Sequence, residues 1–305
     1  MTIRINIATA LFVSLVPGIV SCSDDNNSNT PDEPSGPGIA KITVVDYSPA
    51  PGQFVNEIPE YTAGDNKAAI IAKAQAAIDK GQLVSLGAFG GSITFKLDKP
   101  IIRSLDGSPE FRVLGNTFLS TAENAPSPWG SSEPGIVMVM TDTNNNGQPD
   151  DNWYILAGES FDQAVEPTVT YTDNSAAGDN AKFVRWEDNH GNSGWLSRNY
   201  QYHKHGFFPQ WTGKNTMTVT GVRLPDNASY DDATQTYRLH ALRGYADSYP
   251  NTSDASKLSL YNARTASGEV ITVQRVDFVR IVTGVLQNNG ALGECSTEVA
   301  GIEIF

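Results

Sequence analysis

Cysteine, positive charge and long apolar runs are all scarce in this chain, and each shortage narrows what it can be. Only Cys22 and Cys295 occur in 305 residues. Cys22 falls at the end of a leader, so no internal disulfide is expected to hold the fold, and a core large enough for a chain of this length must do so instead. Lys and Arg number 21 against 34 Asp and Glu, a formal net charge of −13. No Lys/Arg cluster offers a phosphate-binding face, which excludes DNA and RNA as partners. Beyond the leader no run is long and apolar enough for a transmembrane helix. The nucleophile elbow Gly-x-Ser-x-Gly is missing, since Gly191-Asn-Ser-Gly194 has the wrong spacing and no strand before it. Cys295 has no catalytic signature around it and reads as a buried thiol. The Gly87-Ala-Phe-Gly-Gly91 turn lacks the spacing and the following helix of a phosphate cradle, so its glycines are read as allowing close approach of strands.

What is present begins with residues 1–21, a leader whose only charge is Arg4 and whose apolar stretch, Ala8 to Val20, is short for a membrane span. It ends Ile19-Val20-Ser21-Cys22, which resembles the bacterial lipobox and implies lipidation of Cys22 as the first mature residue. Ser23-Asp24-Asp25 resembles the acidic tag that directs Bacteroidetes lipoproteins to the outer face of the outer membrane. Acyl chains on Cys22 would anchor the protein to the outer membrane at the cell surface through the hydrophobic effect. Residues 22–40 are rich in Asn, Ser, Pro, Gly and Asp and read as a flexible tether.

Residues 41–305 read as a single all-β domain, a β-sandwich of jelly-roll type with one covering helix near its N-terminus. The helix is expected over Asn66 to Lys80, capped by Thr62 or Asp65 and stopped at Gly81. Short β-patterned runs follow, separated by Gly, Pro, Asn and Asp: Leu83–Leu86, Ser92–Leu97, Phe111–Leu114, Ile136–Met140, Trp153–Leu156, Thr168–Tyr171, Lys182–Trp186, Met217–Leu224, Tyr237–His240, Val270–Val282 and Val299–Phe305. Before the helix, Lys41 to Val45 alternates like a strand. No internal repeat of solenoid period is visible.

One loop carries a metal-binding pattern. In Asp142-Thr-Asn-Asn-Asn-Gly-Gln-Pro-Asp-Asp151, oxygen-bearing side chains fall at positions one, three and five (Asp142, Asn144, Asn146). Gly147 allows the sharp turn, Gln148 is due to offer its carbonyl, and Asp150 and Asp151 follow. A hard cation wants that many oxygens on a short, tightly wound segment, so the expected cofactor is calcium. Trp153 stands where a helical EF-hand would carry a bidentate glutamate, and Pro149 opposes a helix. The loop is therefore expected between β-strands, as a structural clasp. Asn, Asp and Gly also build turns without any metal.

The richest aromatic stretch is Trp195 to Trp211, where six of seventeen residues are Trp, Tyr or Phe against 9% in the whole chain. Trp195, Tyr200, Tyr202, His203 and Trp211 are its candidate ligand-binding residues, because flat aromatic faces beside polar side chains suit a sugar ring or a flat amphipathic ligand. The same aromatics could fill a core, and neighbours such as Phe207 and Phe208 should then divide between inside and outside. His203 and His205 have a spacing that can hold zinc on one strand face, without a third ligand nearby. Glu159, Asp162, Glu166, Glu187 and Asp188 could pair as acid and base for glycoside cleavage.

Several stretches together resemble a family of Bacteroidetes cell-surface lipoproteins known by generic names such as cell-surface or PKD-like protein. They are VSLGAFGGSITFKLD (84–98), SSEPGIVMVMTDTNNNGQPDDNWYILAGES (131–160), GYADSYPN (244–251), VDFVRIVTG (276–284) and STEVAGIEI (296–304). Ile155 stands where that family more often shows Glu. The resemblance implies a mostly β, non-catalytic protein, encoded beside outer-membrane uptake systems such as those for cobalamin. The function expected is capture of a glycan or a corrinoid for an outer-membrane transporter. The alternatives are a calcium-dependent glycan-cleaving enzyme of jelly-roll type and a structural or protein-interaction role.

Overall fold

The computed structural model describes residues 36–174, 183–197, 203 and 205–305. The leader, Cys22, most of the tether, Tyr200 and Tyr202 lie outside the described residues. In chain order the strands are β1 (Gly38–Ile39), β2 (Ile42–Ser48), β3 (Val84–Ser85), β4 (Ser92–Ile102), β5 (Phe111–Leu114) and β6 (Trp129–Gly130). Next come β7 (Gly135–Met140), β8 (Trp153–Leu156), β9 (Thr168–Asp173), β10 (Phe183–Asp188), β11 (Ser193–Ser197) and β12 (Thr216–Thr220). The last six are β13 (Ala228–Asp231), β14 (Thr236–His240), β15 (Ala263–Arg264), β16 (Arg275–Thr283), β17 (Glu298–Val299) and β18 (Gly301–Ile304). Among the described residues one α-helix, α1 (Lys67–Ile78), lies between β2 and β3.

These strands form several antiparallel sheets in an all-β, sandwich-like fold. The central sheet has six strands in the order β15-β8-β7-β16-β4-β2. Beside it are a four-stranded sheet, β11-β10-β9-β12, two three-stranded sheets, β13-β14-β6 and β1-β18-β5, and the pair β17-β3. Among the described residues no helix is long and apolar enough to cross a membrane.

The central sheet is buried on both faces, which explains why β7 reads as an unbroken apolar run, GIVMVM. Val137 and Val139 enter the main core, while Ile136 and Met138 enter a second core on the opposite face. Two bulges keep the alternation in register. On β16, Val276 and Val279 both reach the main core although they are three residues apart, because the register shifts between Val276 and Phe278. On β2 the same holds for Val44 and Tyr47, with a shift between Val44 and Asp46.

Helix α1 buries Ile70, Ala74 and Ile78 in the main core. Its cap is Asn66, whose side chain accepts from the Ala69 N–H at 3.0 Å. Thr62 and Asp65, the expected caps, form a turn of their own, in which Asp65 accepts the Thr62 N–H and pairs with Lys73. The helix also covers the free edge of β2. Gln75 Oε1 accepts the Val44 N–H at 2.6 Å, and Gln75 Nε2 donates to the Ile42 carbonyl at 3.1 Å. Those backbone groups are thereby closed to pairing with another chain.

The runs expected at Phe111–Leu114 and Trp153–Leu156 form as strands with the same bounds. Elsewhere the boundaries move. Gly38–Ile39 pairs with β18, so ordered structure begins inside the stretch assigned to the tether. The strand expected over Val270–Val282 starts at Arg275, and the one over Met217–Leu224 ends at Thr220. Strands β6, β11, β13 and β15 were not legible, being two to five residues long and polar or glycine-bearing. The Gly87–Gly91 turn is a close approach, as its glycines suggested. An added Cβ would sit 2.1 Å from the Ala50 carbonyl at Gly87 and 1.8 Å from the Leu86 carbonyl at Gly91.

Candidate functional site

The Asp142–Asp151 loop joins β7 to β8 within the central sheet. Asp142 Oδ1 accepts the Asn146 N–H at 3.1 Å and Oδ2 the Gly147 N–H at 2.8 Å. Asn146 Oδ1 accepts the Gln148 N–H, and the amides of Asn144 and Asn146 both donate to Asp150. Asp151 turns the other way and takes the N–H and hydroxyl of Thr143. The side chains of Asp142, Asn144, Asn146 and Asp150 are thus wound into one network, while Asp151 braces the loop's outer side. Asn145 and Gly147 take left-handed φ values of 55° and 72°. At its base, Asp277 accepts the Asp142 N–H and is paired with Arg275. Behind it, the Arg280 guanidinium lies 4.2 Å from the Trp153 ring centroid. These contacts are those of turn chemistry, with the side-chain oxygens of Asp142, Asn144 and Asn146 accepting N–H groups of the loop itself.

Among the described residues, the aromatics of the Trp195–Trp211 stretch do not form one face. Trp195 lies exposed on β11, at the edge of the four-stranded sheet. Trp211 packs inward, its ring 6.2 Å from Tyr47 and 6.5 Å from Tyr61, against the main core. Phe207 and Phe208 are both buried, since they lie outside any strand and strand alternation does not govern them. Asn56 pins this segment by donating to the carbonyls of Gly206 and Phe208 and accepting the Gln210 N–H. His203 and His205 likewise lie outside any strand. The His203 ring meets Phe54 edge-on at 4.4 Å, and its Nδ1 is 3.5 Å from Glu57.

Of the carboxylates considered for glycoside cleavage, Asp162 and Glu166 line one cleft of about 650 Å³. The others are engaged elsewhere: Glu159 with the Arg243 N–H, Glu187 with Arg185, and Asp188 with the turn at His190 and Asn192. Asp162 and Glu166 are both exposed.

A different cleft combines aromatic side chains with two glutamates in its lining. It encloses about 420 Å³, with Phe54, Phe118, Trp129, Tyr237, Glu133 and Glu294 in its lining. Phe118 is 60% exposed. The Trp129 ring is backed by Arg238, whose guanidinium lies 4.8 Å from the ring centroid and is held by Asp231. Tyr230 supports Tyr237 edge-on at 5.2 Å. Phe54, through its contact with His203, connects this cleft to the aromatic stretch.

Around the cleft's two glutamates the protein gathers further carboxyl groups. Burial pushes the Glu294 carboxyl up to about 7, although Gln53 N–H donates to its Oε1 at 2.6 Å; its Oε2 has no hydrogen-bond partner. Glu133, Asp247 and Glu298 form a group in which one ligand oxygen of each lies within 4.8 Å of the others. Burial first, then mutual repulsion, holds the Glu133 and Glu298 carboxyls well above the ordinary range. Burial raises Asp247 to about 6 against the four hydrogen bonds it accepts.

Neither the cleft nor the acidic group was legible. A lone Glu or Asp has no spacing signature. The cleft's aromatics come from four separate segments and are brought together only by the sheets. Scanned against protein-family models the chain matches no family, and no curated protein matches it.

Proposed function

We propose that this chain is a surface-displayed binding lipoprotein, anchored through Cys22, that captures a glycan at the cleft walled by Phe54, Phe118, Trp129 and Tyr237. The observation that carries the reading is the combination in one 420 Å³ cleft of aromatic faces with the half-buried Glu133 carboxyl. A sugar presents C–H faces to stack on rings and hydroxyls to donate to acceptors, and this lining offers both. The volume lies at the small end of ligand sites, about 300–1,000 Å³, which suits a short glycan segment better than a whole corrinoid. Trp195, Tyr200, Tyr202 and Trp211 are not needed for this reading, and His203 contributes through Phe54. Calcium in the Asp142–Asp151 loop acts as a clasp between β7 and β8, away from the ligand. Handover to an outer-membrane transporter follows from the same reading.

The test is calorimetric titration of the mature chain with a glycan panel and with cyanocobalamin, with product analysis of the same mixtures. A glycan should bind without being cut, and Trp129→Ala or Tyr237→Ala should abolish the heat while Trp195→Ala leaves it. Release of products would replace capture with catalysis. Silence across the panel would leave a structural or protein-interaction role.

A further inference from the structure

We propose that Glu133, Asp247 and Glu298 hold a calcium ion at a site separate from the Asp142–Asp151 loop. The three residues come from distant parts of the chain. Glu133 precedes β7, Asp247 lies in the loop after β14, and Glu298 opens β17. The fold brings one oxygen from each to within 4.8 Å of the others. Asp247 and Glu298 are each only 3% exposed. Among the described residues, none of the three has an ion pair with Lys, Arg or His. Buried carboxylates so close together repel one another unless a proton or a cation lies between them.

Two observations favour a cation. First, Asp247 and Glu133 are surrounded by hydrogen-bond donors. Asp247 Oδ1 takes the Asn116 N–H at 3.0 Å, the Thr117 N–H at 3.1 Å and the Thr117 hydroxyl at 2.8 Å, and Oδ2 takes the Glu298 N–H at 2.9 Å. Glu133 Oε1 takes the Ser296 N–H at 2.8 Å. Backbone N–H groups can only donate, so these contacts stabilise the charged form. Second, Glu298 Oε1 is buried with no hydrogen-bond partner. Its Oε2 accepts the Asn116 side-chain amide at 3.3 Å, and the nearby Ser296 hydroxyl, which bonds Ser85 and accepts the Gly87 N–H, also favours the charged carboxylate. An unpaired buried carboxylate oxygen is costly, and coordination to a metal removes that cost.

The donor set contains oxygen only, which selects a hard cation over zinc or copper. Calcium tolerates ligands from an irregular, fold-imposed arrangement, whereas magnesium demands a near-octahedral one and sheds water reluctantly. Glu133 also lines the 420 Å³ cleft, which gives an ion a route from solvent. Once bound, the ion ties together the starts of β7 and β17 and the loop carrying Asp247. The inference does not rest on the glycan reading.

The experiment measures bound calcium per mature chain after dialysis against millimolar calcium, for wild type, Asp142→Ala, Glu298→Gln and Glu133→Gln. Asp142→Ala should keep one ion. Each glutamine variant should lose one equivalent relative to wild type, or weaken that site by more than about a hundredfold, beyond the loss from disturbing an outer partner. Folding is checked by circular dichroism; should Glu298→Gln fail to fold, Glu133→Gln, whose side chain opens on the cleft, decides. Wild-type calcium content in folded glutamine variants, or no calcium in Asp142→Ala, would overturn the proposal and leave shared protons to hold the cluster together.

Discussion

Replacing Glu294 with glutamine should stabilise the protein at alkaline pH and leave it nearly unchanged in acid. The carboxyl is 4% exposed, and burial raises it from 4.5 to about 7. A carboxyl raised in the folded state binds its proton there more tightly than in the unfolded chain. Its contribution is therefore fully present below about pH 4.5 and is lost as the pH climbs through about 7. Above that window the folded protein carries a buried charge, at a cost of about 3 kcal/mol from a midpoint shift of roughly two and a half pH units at about 1.4 kcal/mol each. Glutamine keeps an acceptor for the Gln53 N–H and never ionises. The assay is thermal unfolding across the pH range. At about 2–4 °C per kcal/mol, Glu294→Gln should melt about 6–12 °C above wild type near pH 8 and with it near pH 4. Equal melting temperatures at both ends, or a less stable variant near pH 8, would refute the claim that burial governs this carboxyl.

Three further perturbations test other parts of the structure. Gly115→Ala would place a Cβ 2.5 Å from Asp247 Oδ1, an atom already fixed by three hydrogen bonds, so a loss of about 1–3 kcal/mol is expected in chemical denaturation. Asn66→Ala removes the α1 cap and should cost about 1 kcal/mol in the same measurement, whereas Thr62→Ala should cost less. Asp142→Ala deletes the acceptor for Asn146 and Gly147 and should lower the melting temperature without chelator. If calcium fills the loop, chelation should destabilise wild type more than this variant, with stabilisation growing logarithmically in free calcium.

Local chemistry alone was enough to determine much of the frame. The apolar run of β7, the helix between Asn66 and Gly81, and the Asp142–Asp151 turn each carry their signal within a few consecutive residues, because side-chain period, capping and turn geometry act over that range. What failed was anything decided by packing from a distance. The density of rings between Trp195 and Trp211 suggested one platform, yet Trp211 stacks on Tyr47 and Tyr61 while Trp195 stays exposed on β11. Composition counts aromatics but says nothing about which face of which sheet each one meets. Short polar strands such as β13 exist because a neighbour pairs with them, and their own residues did not announce it.

The acidic group shows the division most clearly. The sequence establishes an acidic chain, with 34 Asp and Glu against 21 Lys and Arg. That balance reads as ordinary surface charge, because carboxylates are costly to bury and most stay in water. Only the tertiary structure withdrew Asp247, Glu294 and Glu298 from solvent and set two of them beside Glu133. The physical reason is that desolvation and mutual repulsion depend on distances in space, and residues 133, 247 and 298 become neighbours only when their three segments meet.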